Sequence, residues 1–462
     1  MFNKEIYIER RNNLKKSTKT GLIIIPGNGN SPISYKDNCY NFIQDSSFLY
    51  FFGLNSQDLI GVIDVDNNQE YIFGKEYTID DIIWMGNQEL FKNQALQVGI
   101  DNFKEIEELN SLISNSKNIN QKILFTKQYR DANILKLSSL LDINPFNFNE
   151  YVSEELEKNI SNLRNIKSKE EIIEIEKAVN ITRDMHLEAM RNIKVGMKEF
   201  ELAAIIEKIA KSFNATTSFQ TICTVNGEIL HNHSQNNTLK DGDLILLDCG
   251  ARTNSGYCGD MTTVFPVSGK FSEVQKIFYS ILIKMFEKAE SLIKPGISYK
   301  EVHLSVCRVL IQEMINLNIL KGDIEEILDS GAHALFFPHG LGHMLGMDVH
   351  DMENLGENIV GYEDGIVRSS QFGLKSLRLA RTLQEGFVIT VEPGIYFIPE
   401  LIKKWKNQNN FSQYINYDEI DKYISIGGMR YEGDYLITAD GSRRLGDKMP
   451  KYFYEIENII SK

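Results

Sequence analysis

Long apolar runs are missing from this chain of 462 residues. Its most apolar segments, such as residues 22–25 and 244–247, have the length of a strand and are too short to cross a bilayer. No apolar segment typical of a signal peptide follows the early pair Arg10-Arg11. We therefore expect neither membrane insertion nor export.

Cysteine is also scarce, and the 63 acidic residues outnumber the 50 basic ones. The five cysteines are an odd number without a CxxC spacing, which argues against a disulfide framework and against a thiolate metal site. A reducing cytoplasm is the expected compartment. The formal net charge is −13 and no Lys/Arg-rich run interrupts the acidic trend, so we do not expect nucleic acid as a partner.

The chain does have an ordinary share of apolar residues, 42%, and a length that favours two domains. Short β-branched runs at residues 21–26, 59–65 and 123–126 alternate with helical segments, which predicts an α/β layer. A helical block follows, and we place the domain boundary near residues 159–167. The prediction is an N-terminal α/β domain over residues 1–160 and a second domain over residues 161–462.

Two pairs of helices, each followed by strands, are predicted in the second domain. Ser168 with Glu171, and Ser272 with Gln275, form capping boxes that begin two of these helices. The predicted helices cover residues 169–192, 199–212, 272–293 and 299–317, and the predicted strands cover residues 244–247, 257–267, 387–397 and 431–438. The order suggests a duplicated unit, although no repeat is visible at the level of residues.

The first candidate for chemistry is the pair Asp248 and Asp260, on either side of a turn-forming segment centred on Asn254. In an antiparallel hairpin centred there the two aspartates are opposite each other, with Cβ atoms about 5 Å apart on one face. Carboxylates that close repel each other, and two divalent cations would stabilise the pair. Two solvated acids beside a turn would have the same spacing.

Further candidates cluster in three later segments. Three of the eight histidines, His339, His343 and His350, fall within twelve residues, among glycines that disfavour the rigid helix of an HExxH zinc protease. Glu392 ends an apolar strand directly before Pro-Gly, where a buried acid needs a partner. Glu432 follows Arg430 just before another apolar strand.

These segments together resemble a known family. Asp-x11-Asp, HGLGH with VHD, VEPGIY and R-x-E follow one another as in the aminopeptidase P and prolidase branch of the pita-bread metallopeptidases. Residues 42–50 and 83–86 are similar to that branch's N-terminal segments. The resemblance implies an α/β N-terminal domain, for oligomerisation and substrate access, and an α+β pita-bread catalytic domain with the creatinase/aminopeptidase fold.

Metal-assisted hydrolysis beside proline is the chemistry that the resemblance implies. Two divalent ions are expected, manganese first, with cobalt or zinc as alternatives. Asp260 and Glu432 would bridge both ions. Asp248 would bind one of the ions, and His343 and Glu392 would bind the other. The resemblance also implies catalytic roles for His231, His350 and Glu392, the last as general base, and substrate-binding positions at His339, Tyr396, Arg378 and Arg430. Tyr396 and Arg430 match positions that support the metal ligands.

Within this branch we expect an Xaa-Pro aminopeptidase that acts on proline-containing peptides as a homo-oligomer, a dimer or a tetramer. The alternative is a prolidase, an Xaa-Pro dipeptidase, for which Arg378 would pair with the dipeptide's carboxylate. An inactive binding protein with this fold would lack metal ligands, whereas all five positions are filled. A creatinase-like enzyme would lack the metal set, and a methionine aminopeptidase would lack the N-terminal domain.

Three departures from the family pattern affect the surroundings of the ligands. Thr263 occupies a position where relatives commonly have Arg, and Gly433 occupies one where they commonly have Asp. The segment between the two aspartates is one residue longer than the family's usual ten, consistent with a change in the hairpin turn. Neither substitution alters a ligand, but both change neighbours that tune the ligands.

Overall fold

The computed structural model describes residues 2–461 and divides into two compact units. The first contains residues 2–164 together with Met352–Val360, and the second contains Asn165–Asp351 together with residues 361–461. Within the described part of the chain, no helix is both long enough and apolar enough to cross a membrane.

The first unit is an α/β layer, as the sequence predicts. Its helices are α1 (Lys4–Thr18), α2 (Ser46–Phe52), α3 (Ile79–Met85), α4 (Phe91–Gln97), α5 (Glu108–Asn118), α6 (Asp131–Leu141) and α7 (Glu154–Asn165, whose last residue belongs to the second unit). Its strands are β1 (Leu22–Pro26), β2 (Pro32–Tyr35), β3 (Asn38–Cys39), β4 (Ile60–Asp64), β5 (Gln69–Gly74), β6 (Asn102–Glu105) and β7 (Ile123–Leu124).

Five of these strands form one mixed sheet in the order β6-β5-β4-β1-β7. The central strands β1 and β4 are antiparallel and buried along their whole length, whereas β7 pairs with β1 in parallel. Alternate residues such as Leu22, Ile24, Ile60 and Val62 pack against α5 and α6 residues in one apolar core. Burial on both faces explains why these strands appear in the sequence as continuous apolar runs.

The second unit contains the two predicted helix pairs. Its helices are α8 (Lys169–Asn192), α9 (Glu199–Ser212), α10 (Glu273–Leu292), α11 (Tyr299–Asn316), α12 (Ile324–Ser330), α14 (Pro399–Asn407), α15 (Tyr417–Ile420) and α16 (Phe453–Ile460), while the short α13 (Glu357–Val360) lies in the first unit. Both capping boxes are confirmed: the Ser168 hydroxyl accepts from the Glu171 N–H at 3.3 Å, and Ser272 does the same for Gln275.

Short antiparallel sheets accompany the helix pairs. The strands of the second unit are β8 (Thr216–Thr217), β9 (Ile222–Thr224), β10 (Leu244–Cys249), β11 (Ala251–Arg252), β12 (Met261–Pro266), β13 (Val388–Val391), β14 (Gly394–Tyr396), β15 (Gly428–Arg430), β16 (Gly433–Ile437) and β17 (Ser442–Arg444). They form the sheets β12-β10-β9, β13-β16-β17, β14-β15 and β11-β8. Helix pair followed by three-stranded sheet thus occurs twice along the chain.

The hairpin of β10 and β12 has a register two residues away from the predicted one. Asp248 lies opposite Thr262, and Asp260 comes just before the first residue of β12. The prediction that the two aspartates face each other directly was therefore wrong. Because side chains alternate with a period of two, a shift of two residues leaves Asp248 on the face that Thr262 and Asp260 share.

The turn explains the shifted register. The Thr253 N–H donates to the Tyr257 carbonyl at 3.0 Å, so the hairpin is centred on Ser255 rather than Asn254. Gly256 ends the three-residue loop with a φ of 92°. Loops of this length require a residue in the left-handed region near their end, and glycine takes that conformation without strain.

The predicted strand over residues 387–397 is two strands in the structure. β13 pairs with β16, and β14 pairs with β15. Glu392 and Pro393 lie between them, and proline has no N–H to continue a ladder. The interruption leaves Glu392 at a strand end, where its side chain can turn into a site.

Candidate metal centre

Strand ends of the second unit carry four of the five predicted metal ligands. Asp248 is in β10, Asp260 precedes β12, Glu392 follows β13, and Glu432 lies between β15 and β16. The Glu432 N–H donates to the Thr262 carbonyl at 2.9 Å, which joins the β15–β16 connection to the hairpin. Pairing between strands thus brings together the backbones of four acids that are separated by up to 184 positions in the sequence.

The fifth predicted ligand, His343, lies in a loop that runs beside β13. The Thr390 N–H donates to the His343 carbonyl at 3.0 Å, and the His343 N–H donates to the Thr390 hydroxyl at 3.2 Å. Gly342 permits this approach, since a Cβ there would lie 2.1 Å from the Thr390 carbonyl oxygen. The glycines of this segment therefore serve close backbone packing.

Three of these side chains meet in a buried cluster. One ligand atom each of Asp260, His343 and Glu432 lies within 4.8 Å of the other two. The His343 Nε2 atom is 3.4 Å from an Asp260 carboxylate oxygen and 3.9 Å from a Glu392 carboxylate oxygen. A cation placed among these atoms would be reached by oxygen and imidazole ligands together.

The tautomer of His343 suits a metal ligand. Its Nδ1 atom lies 3.0 Å from the Met344 carbonyl oxygen, which can only accept a hydrogen bond. In a neutral ring the proton is therefore on Nδ1, and Nε2 directs a lone pair toward the carboxylates. A backbone carbonyl that orients the ring in this way is common beside bound metals.

Buried carboxylate oxygens without a partner are the strongest sign of a cation site. Asp248 Oδ1 and Asp260 Oδ1 are buried and have no hydrogen-bond partner among residues 2–461. Burial, followed by the charge of Asp248, raises the pKa of Asp260 well above its usual value. Burial also raises the pKa of Glu432, as well as that of Glu392 to about 7. Such acids remain charged at neutral pH when cations balance them, so the donor set fits divalent metal ions.

Arg430 is a buried cation that is hydrogen-bonded within the cluster. Its guanidinium donates to the Asp248 carboxylate, to the Thr262 hydroxyl at 3.0 Å and to the Tyr396 hydroxyl at 2.9 Å. Thr262 in turn donates to a Glu432 carboxylate oxygen at 2.7 Å. Arg430 and Thr262 thus fix the outer oxygens of Asp248 and Glu432.

A directed chain of hydrogen bonds leads from Arg430 to His339. The His339 Nδ1 atom lies 2.8 Å from the Gly340 carbonyl, so Nδ1 donates and Nε2 accepts from the Tyr396 hydroxyl at 2.8 Å. Burial, followed by the charge of Arg430, lowers the pKa of His339 to about 3. His339 is therefore neutral, and its orientation depends on Tyr396.

The remaining predicted site residues lie around this cluster. The ring of His350, which is half-buried, has its centroid 4.2 Å from that of His343. Desolvation, followed by the charges of Arg430 and Arg378, lowers the pKa of His231. Arg378 also contributes to the lowered pKa of His339, so its charge acts on both histidines. The structure thus brings every predicted site residue to one region of the second unit.

Sequence reasoning missed three polar residues of the site. Thr262 links Arg430 to Glu432, Thr390 holds the backbone of His343, and the Asp434 carboxylate accepts from the Asp260 N–H at 3.1 Å. All three are fully buried. Small polar residues inside apolar strands were the only available signal, because a buried hydroxyl or carboxylate needs a partner.

Comparison with known proteins places this site in a family. The profile of metallopeptidase family M24 matches residues 174–439, and the profile of the aminopeptidase P N-terminal domain matches residues 7–125. The chain belongs to metallopeptidase family M24. The predicted resemblance and the predicted two-part fold are confirmed.

Relatives of this M24 chain carry two different names. An Xaa-Pro dipeptidase of Mus musculus is 31% identical, with 92% of this chain and 85% of the relative covered. A probable Xaa-Pro aminopeptidase of Fusarium vanettenii is also 31% identical, with 96% and 92% covered. The solved structure of proline aminopeptidase P II from Yersinia pestis matches with a TM-score of 0.81 and 28% identity over 100% of both chains.

Proposed function

We propose that this M24 chain is an Xaa-Pro aminopeptidase that releases the N-terminal residue from peptides with proline in second position, using two divalent metal ions. The observation that carries the proposal is the convergence of Asp260, His343 and Glu432 within 4.8 Å, with Asp248 and Glu392 beside them. The similarity in fold to aminopeptidase P supports the same choice.

Five side chains would hold the ions: Asp248, Asp260, His343, Glu392 and Glu432. Their four carboxylates match the charge of two divalent cations, and ligands that are mostly oxygen suit manganese, with cobalt or zinc as alternatives. When bound, the ions would act as Lewis acids and lower the pKa of water at the site. The unpartnered oxygens of Asp248 and Asp260 support this assignment.

Glu392 is the proposed proton acceptor. Glu392 lies 3.9 Å from the His343 Nε2 atom at the edge of the cluster, where its carboxylate would accept a proton from water at the site. His231 and His350 would donate hydrogen bonds to the substrate beside the scissile amide. Because the pKa of His231 is lowered, its ring is neutral at pH 7 and has one N–H group that can donate a hydrogen bond.

His339 and Tyr396 would form one side of the proline pocket. Their hydrogen bond, continued by Arg430, fixes both rings before a substrate arrives. Fixed rings reduce the entropy lost on binding, and a rigid pocket favours the rigid ring of proline. Arg430, which donates three hydrogen bonds within the protein, would support this pocket and the metal ligands.

A prolidase activity is the second candidate. Selection of a dipeptide requires a cation for its free carboxylate, and the charge of Arg378 acts on both His231 and His339. Relatives named Xaa-Pro dipeptidase also match at 30–31% identity. A substrate comparison distinguishes the two.

The experiment compares Gly-Pro with a Gly-Pro-Yaa tripeptide, using metal-stripped protein refilled with manganese. Faster cleavage of the tripeptide, little changed by Arg378→Ala, would support the aminopeptidase. Cleavage of the dipeptide alone, with kcat/KM reduced more than about 100-fold by Arg378→Ala, would establish the prolidase instead. Protein that binds manganese at neither site and cleaves neither peptide would contradict both and favour a binding protein.

The N-terminal domain, proposed as residues 1–160, would serve oligomerisation and substrate access. In support, α3 has no buried residue, and Ile83 and Trp84 are exposed by 70% and 86%. A dimer or tetramer would cover such apolar surface. Sedimentation of the full chain, with Trp84→Glu as the variant, tests this.

A cytoplasmic location is proposed from the five free cysteines.

A further inference from the structure

His186 is a buried histidine that lies against the reverse face of the hairpin carrying Asp248 and Asp260. Its Nδ1 atom is 2.8 Å from the Thr263 hydroxyl, and its Nε2 atom is 3.1 Å from the Met261 carbonyl and 3.4 Å from the Cys249 sulfur. One side chain of α8 therefore contacts both strands of the hairpin. No role follows for it from the metal site alone.

The hydrogen bonds of His186 have one consistent direction. A carbonyl oxygen only accepts, so Nε2 carries the proton and donates to Met261, and Nδ1 accepts from the Thr263 hydroxyl. Burial lowers the pKa of His186 to about 4, which keeps the ring neutral at pH 7. The neutral ring therefore satisfies two groups of the hairpin: Nδ1 accepts from the Thr263 hydroxyl, and Nε2 donates to the Met261 carbonyl.

Each partner of His186 is the next residue after a member of the site. Cys249 follows Asp248, Met261 follows Asp260, and Thr263 follows Thr262. Because side chains alternate along a strand, those of Cys249 and Thr263 face α8 while those of Asp248 and Thr262 face the cluster. A change in the position of His186 would therefore reach the ligands through a single peptide unit.

Thr182, one turn earlier on α8, holds the turn end of the same hairpin. Its hydroxyl accepts from the Ala251 N–H at 2.8 Å. A Cβ on Gly259 would lie 2.8 Å from this hydroxyl and 2.9 Å from the Val179 Cα atom, so the backbone before Asp260 touches the helix directly. Residues four apart lie on one helix face. Thr182 and His186 thus attach the hairpin to α8 at two levels.

We propose that His186 is a positioning residue that fixes the separation of Asp248 and Asp260 for metal binding, by joining the two strands behind them. The proposal rests on the proposed metal function. It also gives a role to Thr263, at the position where the family commonly has arginine: its hydroxyl donates the hydrogen bond that Nδ1 accepts.

The test compares His186→Phe, which keeps the ring size but removes both hydrogen bonds, with His186→Gln, whose amide offers one donor and one acceptor. The matched control is Met185→Ala, a buried apolar change at the neighbouring position of α8. Manganese binding to metal-stripped protein is measured by calorimetry, and kcat and KM are measured with saturating manganese.

We expect His186→Phe to weaken manganese binding about 10- to 100-fold, with His186→Gln recovering most of the affinity. At saturating manganese, kcat should fall more than KM rises. Met185→Ala should lower the melting temperature but leave the manganese affinity within about twofold. The proposal would be overturned if His186→Phe bound manganese as tightly as the wild type. It would also be overturned if Met185→Ala lost as much manganese affinity as His186→Phe.

Thr263→Val keeps the test valid if His186→Phe does not fold. This variant removes only the hydroxyl that donates to Nδ1, and we expect it to weaken manganese binding a few-fold, because one hydrogen bond of the set is lost. Unchanged affinity in this variant would also contradict the proposal. Wild-type protein that binds no manganese would instead refute the metal function itself, so the two failures are distinguishable.

Discussion

The guanidinium of Arg430 donates a hydrogen bond to the carboxylate of Asp248, from β15 to β10. The same guanidinium holds Thr262 and Tyr396, so one buried side chain links the hairpin, the acid cluster and the proposed proline pocket. The other carboxylate oxygen of Asp248 has no hydrogen-bond partner in the part of the chain that the structure describes. Arg430 therefore aligns one oxygen of Asp248 and leaves the second for a cation.

The first prediction follows from these three hydrogen bonds. Arg430→Met should lower manganese affinity and kcat/KM about 10- to 100-fold, because Asp248 and Thr262 lose the donor that orients them. Arg430→Lys should fall in between, since an ammonium keeps the charge but not the planar fork. Arg443→Met, which breaks only the exposed pair with Glu176, is the control. Wild-type manganese affinity in Arg430→Met would contradict the prediction.

The second prediction concerns the stability of metal-free protein as the pH rises. Burial and mutual repulsion raise the pKa of Asp260, Glu392 and Glu432 above the values of the unfolded chain. Between the unfolded and the folded pKa the folded protein binds more protons than the unfolded chain. The free energy of unfolding contributed by these acids therefore falls as the pH rises through that range.

Buried histidines act in the opposite direction at lower pH. Burial lowers the pKa of His186 and His333 to about 4 from 6.5, so their contribution to stability rises across that range and is complete by pH 7. From about pH 6.5 upward the raised carboxylates dominate, because the contribution of Glu392 falls as the pH rises through its pKa of about 7. Urea unfolding should give a falling free energy of unfolding in this range without metal, and saturating manganese should remove the fall. A rising profile for metal-free protein would refute this.

The third prediction separates function from stability at Glu432. Glu432→Gln retains an oxygen to accept from Thr262 but removes a buried charge. At pH 8 without metal we expect the free energy of unfolding to increase by on the order of 1 kcal/mol, while manganese-dependent kcat/KM falls more than about 100-fold. Glu313→Gln, on a surface pair with Lys284, should change stability by less than about 0.5 kcal/mol. Lower stability of metal-free Glu432→Gln would contradict the prediction.

Local signals in the sequence predicted the helices well. Ser168 and Ser272 marked two helix starts to the residue, because a capping box depends only on neighbours within one turn. The side-chain parity of Asp248 and Asp260 was also predictable, since it follows from strand alternation alone. Their register was not, because it depends on the left-handed Gly256 and on the packing of Gly259 against α8.

The wider surroundings of the site could not be predicted from local patterns. The approach of His343 to Glu392 depends on a loop pairing with β13 through Thr390, a contact between segments that no periodicity records. Thr262 and Asp434 are polar residues inside otherwise mostly apolar strands, and ordinary strands also contain such residues. Their partners became visible only when β12, β15 and β16 were in place.

The last prediction concerns Lys167 and Asp351, which form an ion pair of 2.7 Å with both side chains 1% exposed. Asp351 directly follows His350 and accepts from the Asp348 N–H at 3.3 Å, so the pair holds the loop that presents His350. Lys167→Met removes the cationic partner of the buried Asp351 carboxylate and should lower the free energy of unfolding by about 3–5 kcal/mol.

A double variant separates the two effects of this pair. Lys167→Met with Asp351→Leu removes both charges and should restore most of the stability, because replacing a whole buried pair by apolar residues is often neutral. Its kcat should remain low, since the loop before His350 has lost the carboxylate that held it. Lys177→Met, on an exposed pair with Glu174, should change the free energy of unfolding by less than about 0.5 kcal/mol and should leave kcat unchanged. Full kcat in the double variant would mean that the pair stabilises the fold without positioning His350.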